Sequence, residues 1–557
     1  MKTIKGSYCF GTVVFLLQCL LVSCTLHSQN LTENEAYKQN LANRWTAIQS
    51  MGGDASGLSQ VNSVTRNKQQ NLTDQQYAAL MQQTRLAYLD VLKKKISIPT
   101  NKLYTELVSP WKDISTDLFP VNNTAAVSKG IQIKNILKGR QYAAFWVCNL
   151  DNAPQTVTLK CAKTGGLSQV SFYDAQFQLS RNLKYIPDAL VPVSSSVMAP
   201  GEVKVFYVAV DGVKPGTESN QVIISGKYGS SIIPLSIQNF GITVTRSAIN
   251  LNAITWPYFF YPIMNGKEKA ASENLQTHYI NSLVVTVNKL PLFQDLSNTA
   301  AFDEYALLCK DYQHLILDFD LRRQAKAADY LSPSWKAQFL KWYAFTINRY
   351  QSFGIPKEKI MLMLSDEPTP DEMDYMSKFT AWIRTAAPDA KLFSTSNNAT
   401  CTAILLPILD VVQIYSNTVL GVQATASNMR KIWIYDTKNK TMPPYTSFRL
   451  MAWEAFYKGY GGIGFWNFAD IPTGGSAWND FKGKYEPYNA VYDYKNTFIN
   501  SRRWEAFRLG MEDYYILSMY AQKHGLNAAK ELSRKVLSNP DDINMADATR
   551  NTLLNGL

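Results

Sequence analysis

The chain has 557 residues, too many for one compact core, so two or three domains are expected. With 46% hydrophobic and 18% charged residues it is an ordinary folded protein, which excludes a disordered chain. The formal charge is +12, but no Lys/Arg run rises above a solvated surface, and Lys93-Lys94-Lys95 reads as a helix end.

The N-terminus reads as a targeting segment. Lys2 and Lys5 precede an apolar stretch from Phe10 to Val22, which is 13 residues and too short to span a bilayer comfortably. Leu21-Val22-Ser23-Cys24 then resembles the lipobox of bacterial lipoproteins. The expectation is a signal peptide over 1–23, lipidation at Cys24, and export to the cell envelope with a membrane anchor. Cleavage near Ser28 or Gln29, giving a soluble exported protein, is the alternative. Loss of Lys2 and Lys5, with no acid, takes the charge from +12 to +10. Nucleic acid is not an expected partner of an exported chain. After Cys24 only Cys148, Cys161, Cys309 and Cys401 remain, without CxxC spacing, so neither a metal site nor a cofactor is expected. Whether Cys148 and Cys161 pair is left open by the sequence.

Residues 31–50 and 73–96 read as helices, the second with Tyr77, Leu80, Met81, Tyr88, Val91 and Leu92 on one stripe and Thr73 or Asp74 as N-cap. Between them, Gly52 to Gln70 reads as a loop. Strand-like runs follow at 141–148, 155–161, 202–210 and 241–246, with turns such as Asp211-Gly212 between them. They predict an antiparallel β-sandwich over 105–248, after a helical segment over 24–104.

From 249 to 557 strands and helices alternate. Strand candidates are 253–259, 282–287, 314–320, 360–367, 391–396, 410–416, 431–436 and 462–468, with amphipathic segments such as 333–353, 370–386 and 446–458 between them. Eight such strands predict an α/β fold of the (β/α)8 type. A doubly wound open sheet is the runner-up, but there is no GxGxxG phosphate loop.

Asp366 and Glu367 end the run KIMLMLSDEPTP, where Pro368 stops the strand. Two acids at a strand end facing a ligand crevice suit acid/base chemistry. Adjacent strand residues point to opposite faces, so both can reach a ligand only if the backbone turns there. Other strand ends supply Trp256 and Tyr258, Asp318 and Asp320, Tyr415 and Asn417, Trp433, Tyr435 and Asp436, and Trp466, Asn467 and Asp470. Aromatic walls with a few acids and amides suit a sugar ring, although Trp433, Tyr435 and Trp466 could equally fill the barrel core. Asp366-Glu367 could also merely cap the following helix.

The segments LSDEPT, GYGGIGFWNFAD and SRRWEAFRLGMEDYYIL resemble glycoside hydrolase family 123 and the related domain of unknown function 4091, over roughly residues 105–525. The resemblance implies a β-sandwich followed by a barrel, and a β-N-acetylgalactosaminidase acting on a glycan or glycolipid. It implies Glu367 as general acid and Asp366 as the residue that orients the substrate's 2-acetamido group, whose oxygen attacks the anomeric carbon. Tyr435 or Tyr415 would donate to the acetamido carbonyl. A glycosidase for another sugar, with Asp318 or Asp320 as second carboxylate, and a non-catalytic glycan-binding lipoprotein are the alternatives. The stripe Trp504, Phe507, Met511 and Tyr514 reads as scaffold.

Overall fold

The computed structural model describes residues 31–54, 56–66, 71–119, 130–259, 261–419, 421–422, 425 and 427–557. The expected signal segment over 1–23 and Cys24 lie outside the described residues. Among the described residues, no helix is long and apolar enough to cross a membrane.

Three helices open the described chain, Glu33–Ser50, Ser56–Arg66 and Asp74–Lys95. Thr32 and Thr73 each close a capping box with the residue three positions on, Glu35 and Gln76. The middle helix overturns the loop expected from the Gly and Ser content of 52–70. It forms because tertiary packing outweighs propensity: Val61 is buried, and Gly57 lies so close to the Trp45 ring that a Cβ would sit 2.1 Å from it. The helices rest on the sandwich, where Arg44 pairs with Asp117 and Gln82 Nε2 donates to the Pro200 carbonyl.

Residues 103–243 form a ten-stranded sheet whose apolar faces fold onto each other. Period-two alternation divides its side chains. Phe145, Val147, Phe206 and Val208 face the inner core, while Ala144, Trp146, Val205 and Tyr207 face the larger core shared with the rest of the molecule. Most pairings are antiparallel, but Gly229–Thr243 runs parallel to Ile131–Leu137. The stretch 241–246 is no separate strand, since its first residues end Gly229–Thr243. The four described cysteines are free thiols, Cys148 and Cys161 included.

The second half is an eight-stranded parallel barrel: β1 (Asn252–Ile254), β2 (Ser282–Val285), β3 (His314–Asp318), β4 (Ile360–Met363), β5 (Lys391–Ser396), β6 (Val411–Tyr415), β7 (Ile432–Thr437) and β8 (Gly462–Trp466). At the β1/β2 seam Asn281 substitutes for a ladder: Ala253 N donates to its Oδ1 at 2.8 Å, and its Nδ2 donates to the Leu251 carbonyl at 2.9 Å. All eight predicted strands are present; six end earlier than predicted, while β5 ends at Ser396 as predicted and β7 runs one residue further, to Thr437. Trp256 has φ 48° ahead of Pro257, Asp320 has φ 50°, and Glu367 has φ 47°, so each chain turns out of its strand there.

Ile254, Val284, Ile316, Met361, Met363, Phe393 and Trp433 fill the barrel interior. Gly462 and Gly464 make room: a Cβ at Gly462 would lie 2.6 Å from the Trp433 ring, and one at Gly464 2.5 Å from Ile254. The long helix Arg502–His524 follows β8 and is buried on nearly every side. Trp504, Phe507, Met511 and Tyr514 pack as the stripe predicts, and its charged residues bind neighbouring elements. Arg503 pairs with Asp188 of the sandwich at 2.8 Å, and Asp513 takes Arg449 Nε at 2.7 Å and Arg550 Nη1 at 2.6 Å.

Candidate active site

Period two fixes which side chains enter the barrel mouth. In phase with the interior residues of their strands are Asp318 on β3, Thr395 on β5, Tyr415 on β6, Tyr435 on β7 and Trp466 on β8. The β4 ladder ends at Met363, three residues before Asp366. Beyond it Leu364 still donates to the Phe393 carbonyl, Ser394 Oγ donates to the Ser365 carbonyl at 2.8 Å, and the chain then turns at Glu367. The turn resolves the facing problem of two adjacent acids, since neither belongs to the regular strand. A left-handed Glu costs about 1–3 kcal/mol, a strain typical of positions that surrounding contacts hold in place.

Those contacts are specific. Thr395 Oγ1 accepts from the Glu367 backbone N–H at 2.6 Å and donates to Asp366 Oδ1 at 2.7 Å. The Tyr435 hydroxyl, from across the mouth, donates to Glu367 Oε1, and Asn397 Nδ2 donates to Glu367 Oε2 at 2.8 Å. Arg322 Nη2 donates to the Asp366 carbonyl at 3.0 Å while its guanidinium pairs with Glu372. Thus the acid pair of β4 is held by residues after β3, on and after β5, and on β7. Burial, followed by the hydrogen bond to Glu367, pushes the Tyr435 hydroxyl well above the ordinary phenol range, so it remains a donor.

Asp318 is half-buried in the mouth. Burial pushes its carboxyl up to about 6, with Asp320 and Asp366 adding to the rise. Tyr258 feels both Asp366 and Asp318, and its hydroxyl is raised chiefly by burial. The Tyr258 ring meets Trp466 edge-on with centroids 5.4 Å apart, and Trp466 Nε1 donates to Asp470 Oδ2 at 2.8 Å. Tyr415 packs edge-on against Tyr435, also at 5.4 Å.

Several predicted positions serve the scaffold. Trp433 shares a face with Tyr435 but lies lower in the barrel, against Phe393 and His314, and is 1% exposed; it fills core and lines no cleft. Asp320 does not share a face with Asp318, because the strand has ended; its side chain caps Leu321–Gln324 by accepting from Arg323 N. Asn467 is fully buried, donating to the Trp256 carbonyl at 2.8 Å and accepting from Ala469 N at 2.8 Å. Trp256 is 3% exposed within the interior cluster. Asp436 pairs with Lys438 at 3.0 Å, and Asn417 is exposed on a one-turn helix after β6. Thr395, Asn397 and Arg322 escaped the sequence reading. For Thr395 a signal existed, since it is in phase with Phe393 on a strand already identified. Among the described residues, no group of three or more His, Cys, Asp or Glu could hold a metal ion.

No family model matches the sequence, and no curated protein matches it. The fold, however, is similar to that of a solved family 123 glycoside hydrolase from Clostridium perfringens, described in connection with glycolipid glycan hydrolysis. The superposition has a TM-score of 0.60 at 11% identity and covers 82% of this chain and 98% of that one. A family 39 glycoside hydrolase from Bacteroides cellulosilyticus WH2 matches with TM-score 0.36 at 9% identity, over 68% of this chain and 81% of that one. The fold of this chain, a β-sandwich joined to a (β/α)8 barrel, is thus similar over most of its length to that of the solved family 123 structure.

Proposed function

We propose that this chain is a retaining glycoside hydrolase of the β-N-acetylgalactosaminidase type, acting by substrate assistance on a glycan or glycolipid. The observation that carries the reading is the geometry of the acid pair: Asp366 and Glu367 leave β4 through a left-handed turn and are bound, through Thr395, Asn397 and Tyr435, to the mouth of a barrel of this fold. Glu367 protonates the leaving glycosidic oxygen and then takes a proton from the attacking water. Asp366, oriented by the Thr395 hydroxyl, holds the N–H of the 2-acetamido group so that its carbonyl oxygen attacks the anomeric carbon. Tyr435 turns from Glu367 to that carbonyl oxygen and orients it for attack on the anomeric carbon. Trp466 and Tyr258 offer the apolar face for the ring. Export, with lipidation at Cys24, is part of the same proposal.

A second reading rests on Asp318, a burial-perturbed carboxyl beside the pair. In a glycosidase for a sugar without an acetamido group it supplies the second carboxylate. Release of p-nitrophenol from the β-N-acetylgalactosaminide, the β-N-acetylglucosaminide and the β-galactoside separates the two. Activity confined to the acetamido sugars, and lost in Glu367→Gln, supports the first reading. Turnover of the plain galactoside supports the second. Sugar binding without turnover of any of the three would make the chain a glycan-binding protein and overturn both.

A further inference from the structure

A cavity of about 600 Å³ opens at the C-terminal side of the barrel, between the segment that follows β2 and the segment that follows β3. The second of these segments borders two spaces at once. Asp318, at the end of β3, faces the mouth, and Phe319 after it lines the cavity. Arg322 then reaches the Asp366 carbonyl at 3.0 Å, and Arg323 lines the cavity again. One stretch of backbone therefore touches the acid pair on one side and the cavity on the other.

Two properties of the cavity select a ligand. It offers apolar surface: Leu292 is 60% exposed, and the half-buried Phe293 packs on buried Phe319 with ring centroids 5.7 Å apart. It also carries uncompensated positive charge. Arg323 and Lys326 line it and are exposed, and neither side chain has a hydrogen-bond or ion-pair partner among the described residues. The adjacent Arg322, by contrast, is engaged by Glu372. Asp295, the one carboxylate among the described residues that line the cavity, accepts from Ser297 N at 2.9 Å and from Ser297 Oγ at 2.6 Å, and pairs with neither cation. Two free cations beside apolar surface attract an anionic ligand with an apolar face, and the arginine fork matches a carboxylate or sulfate.

We infer that this cavity is a subsite for an acidic sugar, one bearing a carboxylate or a sulfate, beside the sugar held in the mouth. The acidic group meets Arg323 and Lys326, and the C–H face of its ring lies on Leu292 and Phe293. The volume falls within the roughly 300–1,000 Å³ of small-molecule sites, which leaves room for a sugar ring and its substituent. That this sugar belongs to the substrate rests on the glycosidase reading above, and it narrows the substrate class to acidic glycans.

The test is titration calorimetry of the full chain with glucuronic acid and galactose 6-sulfate, against glucose and galactose as their neutral counterparts. At least one acidic sugar is expected to bind about tenfold or more tighter than its counterpart, as charge-assisted bonds to two cations require. The tighter of the two identifies the group as carboxylate or sulfate. The advantage persists in Glu367→Gln, disappears in Arg323→Gln combined with Lys326→Gln, and shrinks as NaCl rises from about 0.05 M to about 0.5 M. Both substituted side chains are exposed, and Asp320 holds the backbone N–H of Arg323, so the turn survives the substitutions. In Glu367→Gln, N-acetylgalactosamine joined β-1,4 to the tighter-binding acidic sugar should bind more strongly than either part alone. The inference is overturned if neither acidic sugar has an advantage, or if the advantage survives the double substitution. It is also overturned if N-acetylgalactosamine binds but the disaccharide is no tighter than its parts. Failure of N-acetylgalactosamine itself to bind counts against the proposed function, which is read separately from turnover.

Discussion

The Thr395 hydroxyl donates to Asp366 Oδ1 at 2.7 Å, and the same oxygen accepts from the Glu367 backbone N–H at 2.6 Å. One side chain on β5 thereby orients one acid and holds the turn that presents the other. Hydrogen bonds to charged groups contribute about 1.5–3 kcal/mol. Thr395→Val is accordingly expected to lower kcat/KM by about 10- to 100-fold, at roughly tenfold per 1.4 kcal/mol. Thr395→Ser keeps the hydroxyl and restores most of the rate. Steady-state kinetics on the most active p-nitrophenyl glycoside, with circular dichroism as a control for folding, check this.

Tyr435 and Tyr415 pack edge-on, yet only Tyr435 reaches Glu367. The proposed mechanism assigns the donor to the acetamido oxygen to Tyr435. Tyr435→Phe should then reduce kcat by about 10²-fold, the cost of a nucleophile held out of line. Tyr415→Phe should cost less than tenfold. Equal losses from the two substitutions would remove the assignment.

Asp318 gives a pH prediction with a definite sign. Burial raises its carboxyl from 3.8 to about 6, so the native state binds a proton that the unfolded chain releases. The stability it contributes is complete below the unfolded pKa near 4 and disappears as pH rises through about 6. Asp318→Asn lacks this loss, while its amide oxygen can still accept from Asp320 N. The variant is expected to gain about 1–3 kcal/mol on the unsubstituted protein between pH 4 and pH 7, at 1.36 kcal/mol per pKa unit. Urea unfolding at both pH values measures the difference, and a pH-independent difference would contradict it.

Asp513 is fully buried and receives Arg449, Arg550 and the Trp453 indole N–H, which joins the helical segment before β8 to two helices after it. Asp513→Ala leaves two arginines without their shared partner. Breaking a buried pair in this way costs about 3–5 kcal/mol. Thermal unfolding should show a marked drop in midpoint, whereas Glu531→Ala, which breaks the exposed Arg534 pair, should be nearly neutral.

The eight barrel strands were legible because parallel strands covered on both faces read as continuous apolar runs, Ile360–Met363 being typical. The C-terminal ends of β1, β3 and β4 were not, because Trp256, Asp320 and Glu367 leave the strand through left-handed turns that side-chain type does not announce. Period two puts Trp433 and Tyr435 on one face of β7. It could not assign depth, which depends on how the strands are staggered around the barrel, and depth makes one ring core and the other site. Asn397 and Arg322 reach the acid pair through contacts between separate strands, which no local pattern records. The helix Ser56–Arg66 was hidden for the opposite reason: its composition reads as loop, and packing against Trp45 decides otherwise.

The most direct test of the account compares Glu367→Gln with the unsubstituted protein on β-N-acetylgalactosaminides whose leaving groups range from 2,4-dinitrophenol to a simple alcohol. A general acid matters most where the leaving group is poor. The account predicts a small rate loss for the dinitrophenyl glycoside, a much larger one for p-nitrophenyl, and no measurable cleavage of the alkyl glycoside. An equal loss across the series, or full activity of Glu367→Gln on the alkyl glycoside, would contradict it.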